Sequence, residues 1–185
     1  MENDCITYHI DQNDQIIYIS DEWQPFADRN KAEELTKGSV LNRSIYDFIS
    51  DKESRHIYEL TFSRCRKNNS NINLPFRCDA PHTRRFMRMD ISALEDNAIR
   101  ITSCIEREEV RDPVALLDKG HDRSSEFVTI CSWCKKVRLE EQHWVEVEEA
   151  VTQMKLFEAI SLPQLSHGMC ESCHHDQMQA LKRDM

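Results

Sequence analysis

Hydrophobic and polar residues alternate in several short segments of the first hundred positions, and this period of two is typical of β-strands. Segments 7–10 and 16–19 flank a polar stretch rich in Asp and Asn, which predicts a β-hairpin. Segments 74–79, 87–91 and 99–106 alternate so that one face is apolar and the other charged. The pattern therefore predicts a five-stranded sheet with one buried face and one exposed face.

A helical period lies between the hairpin and the three later strands. Ser50 stands three residues before Glu53, a capping-box pattern, and apolar residues then recur at helical spacing to about residue 67. Shorter helical stretches are expected over 21–28 and 45–49. The first hundred residues are thus predicted to form an α+β domain with helices beside an antiparallel sheet.

Length and charge suggest how the chain is divided. At 185 residues and 39% hydrophobic composition, it can bury one good core and a smaller second one. We expect a sheet domain over 1–106, a charged, proline-containing linker over 107–126, and a small unit over 127–185. The net charge of −9 divides almost evenly between 1–106 and 107–185. Neither part has the basic excess of a nucleic-acid binder, which argues against a nucleic-acid partner.

Two cysteine pairs in the last third carry the most specific chemistry. Cys131 and Cys134 form one C-x2-C knuckle, and Cys170 and Cys173 form another, with 35 residues between the two knuckles. A tight turn lets two thiolates approach a metal ion from one side, and a second such turn completes the tetrahedron that zinc prefers. The four cysteines therefore predict a structural zinc site in a small zinc-ribbon-like domain.

The segment around the knuckles has its own pattern. Residues 127–130 predict a strand that leads into the first knuckle, and Gly168 suggests a left-handed turn before the second. Between the knuckles, apolar residues at helical spacing predict one helix face that packs over the metal site, with Trp133 or Trp144 filling the space between. The predicted face consists of Val147, Ala150, Val151, Met154 and Phe157.

The chain shows no export signal at its start and no apolar run that approaches membrane-spanning length, so we expect a cytoplasmic protein with no membrane partner. A reducing compartment disfavours disulfides and favours metal ligation by clustered cysteines. The remaining four cysteines are scattered, and we expect them to share no chemistry. They are Cys5, Cys65, Cys78 and Cys104.

Other interpretations of the tail stay open. The cysteines could form a redox sensor, because zinc-bound thiolates are oxidisable and Lys135, Lys136 and Arg138 favour thiolate over thiol. His167 lies three residues before Cys170, where it could be a metal ligand or could orient the thiolates.

The sequence offers no catalytic motif, and four cysteine ligands leave zinc no open position for a substrate. We therefore expect a protein that is not an enzyme. An enzyme with a dispersed site remains an alternative.

Four arginines near one predicted strand turn, at positions 77, 84, 85 and 88, form a second cluster of charge. They could be surface cations paired with neighbouring acids, or a site for an anion or an acidic partner.

The order of elements, together with segments 38–49, 55–58, 74–79 and 84–87, resembles the PAS fold of bacterial signalling proteins. The tail resembles a cysteine segment found after PAS or receiver modules. It does so through residues 130–138, Trp144 and 166–173. The resemblance implies a sensory or protein-interaction module with an unknown small ligand, protein partners and homodimerisation.

Overall fold

A computed structural model describes residues 5–158 and 161–183 of the chain. The predicted units 1–106 and 127–185 therefore include positions 1–4, 159–160 and 184–185, which lie outside the described residues. The strands are β1 Cys5–Ile10, β2 Ile16–Ile19, β3 Asn71–Arg77, β4 Thr83–Ala93, β5 Ile99–Val110, β6 Arg123–Cys131, β7 Val137–Glu140, β8 His143–Val145 and β9 Leu162–Gly168. The α-helices are α1 Trp23–Arg29, α2 Lys37–Val40, α3 Lys52–Asn68, α4 Val147–Gln153 and α5 Glu171–Arg183.

The first five strands form one antiparallel sheet in the order β2-β1-β5-β4-β3. Helix α3 lies against this sheet and buries Ile57 and Phe62 in a core shared with Leu74 and Ile101. The predicted five-stranded α+β architecture is confirmed, and it is consistent with the PAS-like fold that the resemblance implies. One face of the sheet is apolar because the strand residues alternate as the sequence indicates.

Helix α3 begins one residue later than the capping-box pattern predicts. The side chain of Asp51, rather than that of Ser50, accepts a hydrogen bond from the backbone N–H of Ser54 at 2.7 Å. The helix ends at Asn69, which adopts a left-handed conformation with φ 49°. Among the described residues, no helix has both the length and the apolar character needed to cross a membrane.

The later strands form a second sheet in the order β8-β7-β6-β9, in which β6 and β9 run parallel. It encloses a smaller core that includes Val128, Ile130 and Val147. Helix α4 is shorter than predicted, because the chain turns at Lys155 with φ 52°. Met154 and Phe157, which were predicted to complete its apolar face, are instead 38% and 66% exposed.

The two sheets are joined by direct contacts as well as by the chain. The backbone N–H of Arg77 on β3 donates to the carbonyl of Trp133 at 2.7 Å, and Gln177 of α5 donates to the Pro75 carbonyl at 3.1 Å. Strand β5 continues to Val110 and β6 begins at Arg123, so part of the expected linker is strand. The independence of the units over 1–106 and 127–185 stays a prediction.

One expectation about the scattered cysteines was wrong. Cys5 and Cys104 lie opposite each other on β1 and β5, and they form a disulfide. The two cysteines are 99 residues apart in the sequence, which hid the pairing. They meet because β1 and β5, the first and last of the five strands along the chain, are neighbours in the sheet. Cys65 and Cys78 are free thiols.

The first core makes a direct prediction about stability. Phe62 is 1% exposed, so Phe62→Ala should lower the free energy of unfolding by about 3–5 kcal/mol through lost burial and the remaining cavity. Phe127 on β6 is 65% exposed and provides a matched control. Phe127→Ala should change stability by about 0.5 kcal/mol or less in chemical denaturation. Equal effects of the two substitutions would contradict the packing described here.

Candidate metal centre

The parallel pairing of β6 with β9 brings the two knuckles together. Cys131 ends β6 and pairs with Gly168, the last residue of β9. The backbone N–H of Ser132 donates to the Gly168 carbonyl at 2.8 Å, which ties the first knuckle to the second strand. Because parallel strands end at the same edge of a sheet, both C-x2-C turns lie side by side.

Each knuckle is a tight turn with its own backbone contacts. In the first, the N–H of Lys135 donates to the Cys131 carbonyl at 3.0 Å, and Lys135 adopts a left-handed φ of 61°. In the second, helix α5 begins directly after Cys170. Gly168 is not left-handed, contrary to expectation. A Cβ atom there would lie 3.1 Å from Thr129 Cγ2, so the lack of a side chain at Gly168 allows β9 to approach β6 closely.

The four predicted cysteines converge. Their sulfur atoms all lie within 4.8 Å of one another, and the Sγ atoms of Cys134 and Cys170 are 3.7 Å apart. Tetrahedral zinc with Zn–S bonds of about 2.3 Å places its sulfur ligands about 3.8 Å apart, so this donor set fits a zinc ion. Cys131 is fully buried and Cys170 is 4% exposed. The cluster could therefore hold a metal ion in a largely enclosed position.

Backbone and side-chain hydrogen bonds prepare the sulfurs for a cation. The N–H of Cys170 donates to Cys131 Sγ at 3.4 Å, and the N–H of Cys173 donates to Cys170 Sγ at 3.4 Å. Hydrogen bonds with the other three cysteines, Cys134 first, lower the pKa of Cys131 below its usual value. The thiolate, which is the form that binds metal, is thus favoured at Cys131. Hydrogen bonds to Cys131 raise the pKa of Cys134 and Cys173 instead, so one sulfur of the cluster carries the charge for its neighbours.

His167 does not belong to the cluster of sulfur atoms. Within the described part of the chain, the group that could hold an ion consists of the four cysteines alone. His167 instead lines two cavities beside the first knuckle, which it shares with Lys135. A separate cavity of about 340 Å³ opens on the outer side of the cluster, against Cys134, Cys170 and Cys173.

The side chain of Trp133 points away from the metal cluster and into the first core. Its ring lies 5.8 Å from the ring of Tyr58, and its indole N–H donates to Ser54 Oγ at 2.8 Å. The hydroxyl of Ser132 donates to Asp51 Oδ2 at 2.6 Å. The first knuckle is therefore fixed to the beginning of helix α3, a contact that the sequence did not predict. Trp144, by contrast, lies beside the second knuckle, with its ring 3.9 Å from the position of a Cβ on Gly168.

The four arginines of the other charge cluster are paired with acids. Arg84 contacts Glu148 at 2.9 Å, Arg85 contacts Glu108 at 2.8 Å, and the remaining two contact Asp79, Glu146, Asp90 and Glu106. Arg77 is buried because the second half of the chain covers it. The interpretation as paired cations therefore holds. Arg77 and Arg84 join β3 and β4 to the start of α4, whereas Arg85 and Arg88 pair within the first sheet.

Part of the chain is similar to a solved structure of another protein. No protein-family model and no curated protein matches the chain. The chain is similar to the crystal structure of a PAS domain from a two-component sensor histidine kinase, with 18% identity and a TM-score of 0.33. The similarity covers 58% of this chain and 87% of that one. The chain itself defines an α+β protein with a five-stranded antiparallel sheet and a four-cysteine candidate metal centre.

The convergence of four sulfurs predicts the metal content of the purified protein. Elemental analysis of untagged protein should find about one zinc per chain in a colourless solution. Cys131→Ser should lower the zinc content well below one, because one tetrahedral ligand is lost. Cys78→Ser is the matched control, since Cys78 lies outside the cluster, and it should keep the metal. Visible absorption typical of haem or an iron–sulfur cluster would contradict the zinc assignment.

Proposed function

We propose that this chain is a signalling or protein-interaction protein of bacterial type, in which a PAS-like sensory domain is coupled to a structural zinc site in a zinc-ribbon-like unit. The protein acts by binding and not by turnover. Its partners are proteins, and homodimerisation follows from the PAS resemblance.

The observation that carries this proposal is the insertion of Trp133 into the first core. Trp133 lies between two of the four cysteines, yet it is 3% exposed and packs with Tyr58 of α3. A residue within a metal knuckle thus belongs to the same apolar cluster as the sheet domain. A change at either site therefore has a direct physical route to the other.

Four thiolate ligands support a structural role for the metal. Zinc with four protein ligands has no free position for a water or a substrate, whereas catalytic zinc keeps one open. The metal would instead stabilise a second core that is small. That core has few large side chains, and a bound ion supplies folding free energy that such a unit lacks.

Signalling through this arrangement requires two packing states of the contact between the knuckle and α3. A ligand or partner that binds one state more tightly shifts the population toward it. The hydrogen bonds from Ser132 to Asp51 and from Trp133 to Ser54 are made in the packed state and would be lost on separation. The interface that a partner meets would then change with the occupancy of the sensory domain.

Removal of the metal tests the structural role and the coupling together. After treatment with a strong chelator, hydrogen exchange should show lost protection in β6, β9 and α5, because metal binding and folding of this unit are linked. Protection should also fall at the first turn of α3, near Ser54, where the Trp133 contact is made. Strands β1 to β5 should largely keep their protection, since most of their core consists of their own alternating residues and α3.

The Cys131→Ser variant should reproduce the exchange pattern of the chelated protein, and the Cys78→Ser variant should match the untreated one. If β6, β9 and α5 stay protected from exchange without metal, the four clustered cysteines are not needed to stabilise this unit and have another role. If both sheets lose protection together, the chain is one cooperative domain, and the division at 107–126 is wrong.

A redox sensor is the second candidate function, and the cavity of about 340 Å³ that reaches three of the cysteines favours it. Peroxide that enters this cavity could convert a pair of thiolates to a disulfide and eject the metal.

The redox candidate can be separated from the structural one by titration. In a Cys5→Ser, Cys104→Ser background, the four clustered cysteines are isolated from the existing disulfide. Low peroxide should then release zinc, and a reductant should restore binding if the cysteines form a switch. Zinc that stays bound until the protein is irreversibly oxidised would leave only the structural role.

A further inference from the structure

A cleft lies between the segment that joins the two sheets, strands β6 and β9, and the first cysteine knuckle. It encloses a cavity of about 490 Å³, within the range of small-molecule sites. Its apolar floor consists of Leu117, Ile130 and Leu165. Lys119, Arg123, Lys135 and His167 stand around that floor, and we call this the cationic cleft.

The cations of this cleft are not neutralised as the surface arginines are. The ammonium group of Lys135 donates to the Ser132 carbonyl at 2.7 Å. The guanidinium of Arg123 donates to the carbonyls of Leu116, Asp118 and Pro163. Within the described ranges, neither side chain forms an ion pair with a carboxylate. Positive charge held by neutral carbonyls is still available to an anion.

The carboxylates around the cleft already have partners. Asp51 accepts from Ser132 and from the N–H of Ser54, and Asp118 pairs with Lys31. Asp79 lines the cleft, but its carboxylate is fully buried and already pairs with Arg77 at 2.5 Å and Arg111 at 3.1 Å. Lys119 lies 3.6 Å from Glu34, and both side chains are mostly exposed, so that pair is weak in water. The cleft therefore keeps an excess of positive charge.

His167 can add a hydrogen bond without adding charge. Burial and the neighbouring Lys135 lower the pKa of its imidazole, which keeps the ring neutral near pH 7. A neutral imidazole still carries one N–H donor.

The backbone at Lys135 is left-handed, with a φ of 61°, as it also is at Lys31 and Lys155. Glycine adopts this conformation freely, whereas a residue with a Cβ adopts it under strain. Glycine at this position therefore removes the side chain that lines the cleft without straining the turn.

We propose that the cationic cleft binds a small organic anion, with a carboxylate or phosphate group held by Lys135, Lys119 and His167 and an apolar part on the floor of Leu117, Ile130 and Leu165. A cavity of this volume is larger than one inorganic ion needs, and the floor offers no polar partner to such an ion. The site goes beyond the proposed function and is independent of the identity of the metal.

The test is titration of the zinc-loaded, full-length protein at constant ionic strength by calorimetry and by amide NMR shifts. The probes carry one apolar ring: benzoate for carboxylates, phenyl phosphate for phosphates, and benzyl alcohol as the neutral control. Inorganic phosphate serves as the bare ion. At least one organic anion should give saturable binding and shift amides near Lys135 and His167. The stronger of the two organic probes identifies the anionic group.

The decisive variant is Lys135→Gly, which removes the side chain and relieves the left-handed strain. It should weaken binding by about tenfold or more, the effect of one lost charge-assisted hydrogen bond, while melting temperature and zinc content are kept. Lys155→Gly is the matched control, because Lys155 is also left-handed, with φ 52°, and does not line the cleft. It should leave binding unchanged.

Several results would overturn the proposal. They are the absence of saturable binding by every anion, equal binding by Lys135→Gly and Lys155→Gly, and inorganic phosphate binding as tightly as the organic probes. If Lys135→Gly loses zinc because it lies beside Cys134, Lys119→Met and His167→Gln replace it. Unchanged affinity in both of these variants would also contradict the site.

Discussion

The parallel pairing of β6 with β9 is the constraint on which the metal centre depends. The knuckles are 35 residues apart in the sequence, and closing such a loop without support is entropically unfavourable. Hydrogen bonds between β6 and β9 hold the two ends of this loop together without the metal. Both strands end at the same edge, at Cys131 and Gly168. At Gly168 the two strands approach closely, since Thr129 Cγ2 lies 3.1 Å from the position of a Cβ there, and both turns follow directly. The sulfur cluster is therefore a consequence of sheet register.

A second constraint joins this centre to the rest of the molecule. Trp133 is one of the two residues between Cys131 and Cys134, and its large side chain is buried in the first core. Helix α5 contacts β3 through Gln177. Partly exposed ion pairs of Arg77 with Glu146 and of Arg84 with Glu148 add polar contacts between the same two regions. Such a contact resists gradual deformation, because close-packed side chains exchange between discrete arrangements. This property suits a device that passes a change from one part of the chain to another.

The sequence predicted what local periodicity and spacing encode. The five strands of the first sheet, helix α3 and the convergence of four cysteines follow from alternation, helical spacing and the C-x2-C pattern. Two of the errors arise from contacts between distant segments, and one arises from a local turn. The pairing of Cys5 with Cys104 depends on strand order, and the early end of α4 depends on a left-handed turn at Lys155 that its apolar spacing does not reveal. Arg77 is buried because the first knuckle and the start of α4 lie against it, through Trp133 and Glu146.

Lys135 links the cleft, the metal centre and the first core within one turn. Its backbone N–H is bonded to the carbonyl of Cys131, and its ammonium group is bonded to the carbonyl of Ser132. Ser132 in turn holds Asp51 at the start of α3. An anion that draws the Lys135 side chain away from the Ser132 carbonyl would therefore alter the knuckle and the capping residue of α3 together. A ligand in the cleft would thus favour one packing state of the contact between the two sheets, as a population shift requires.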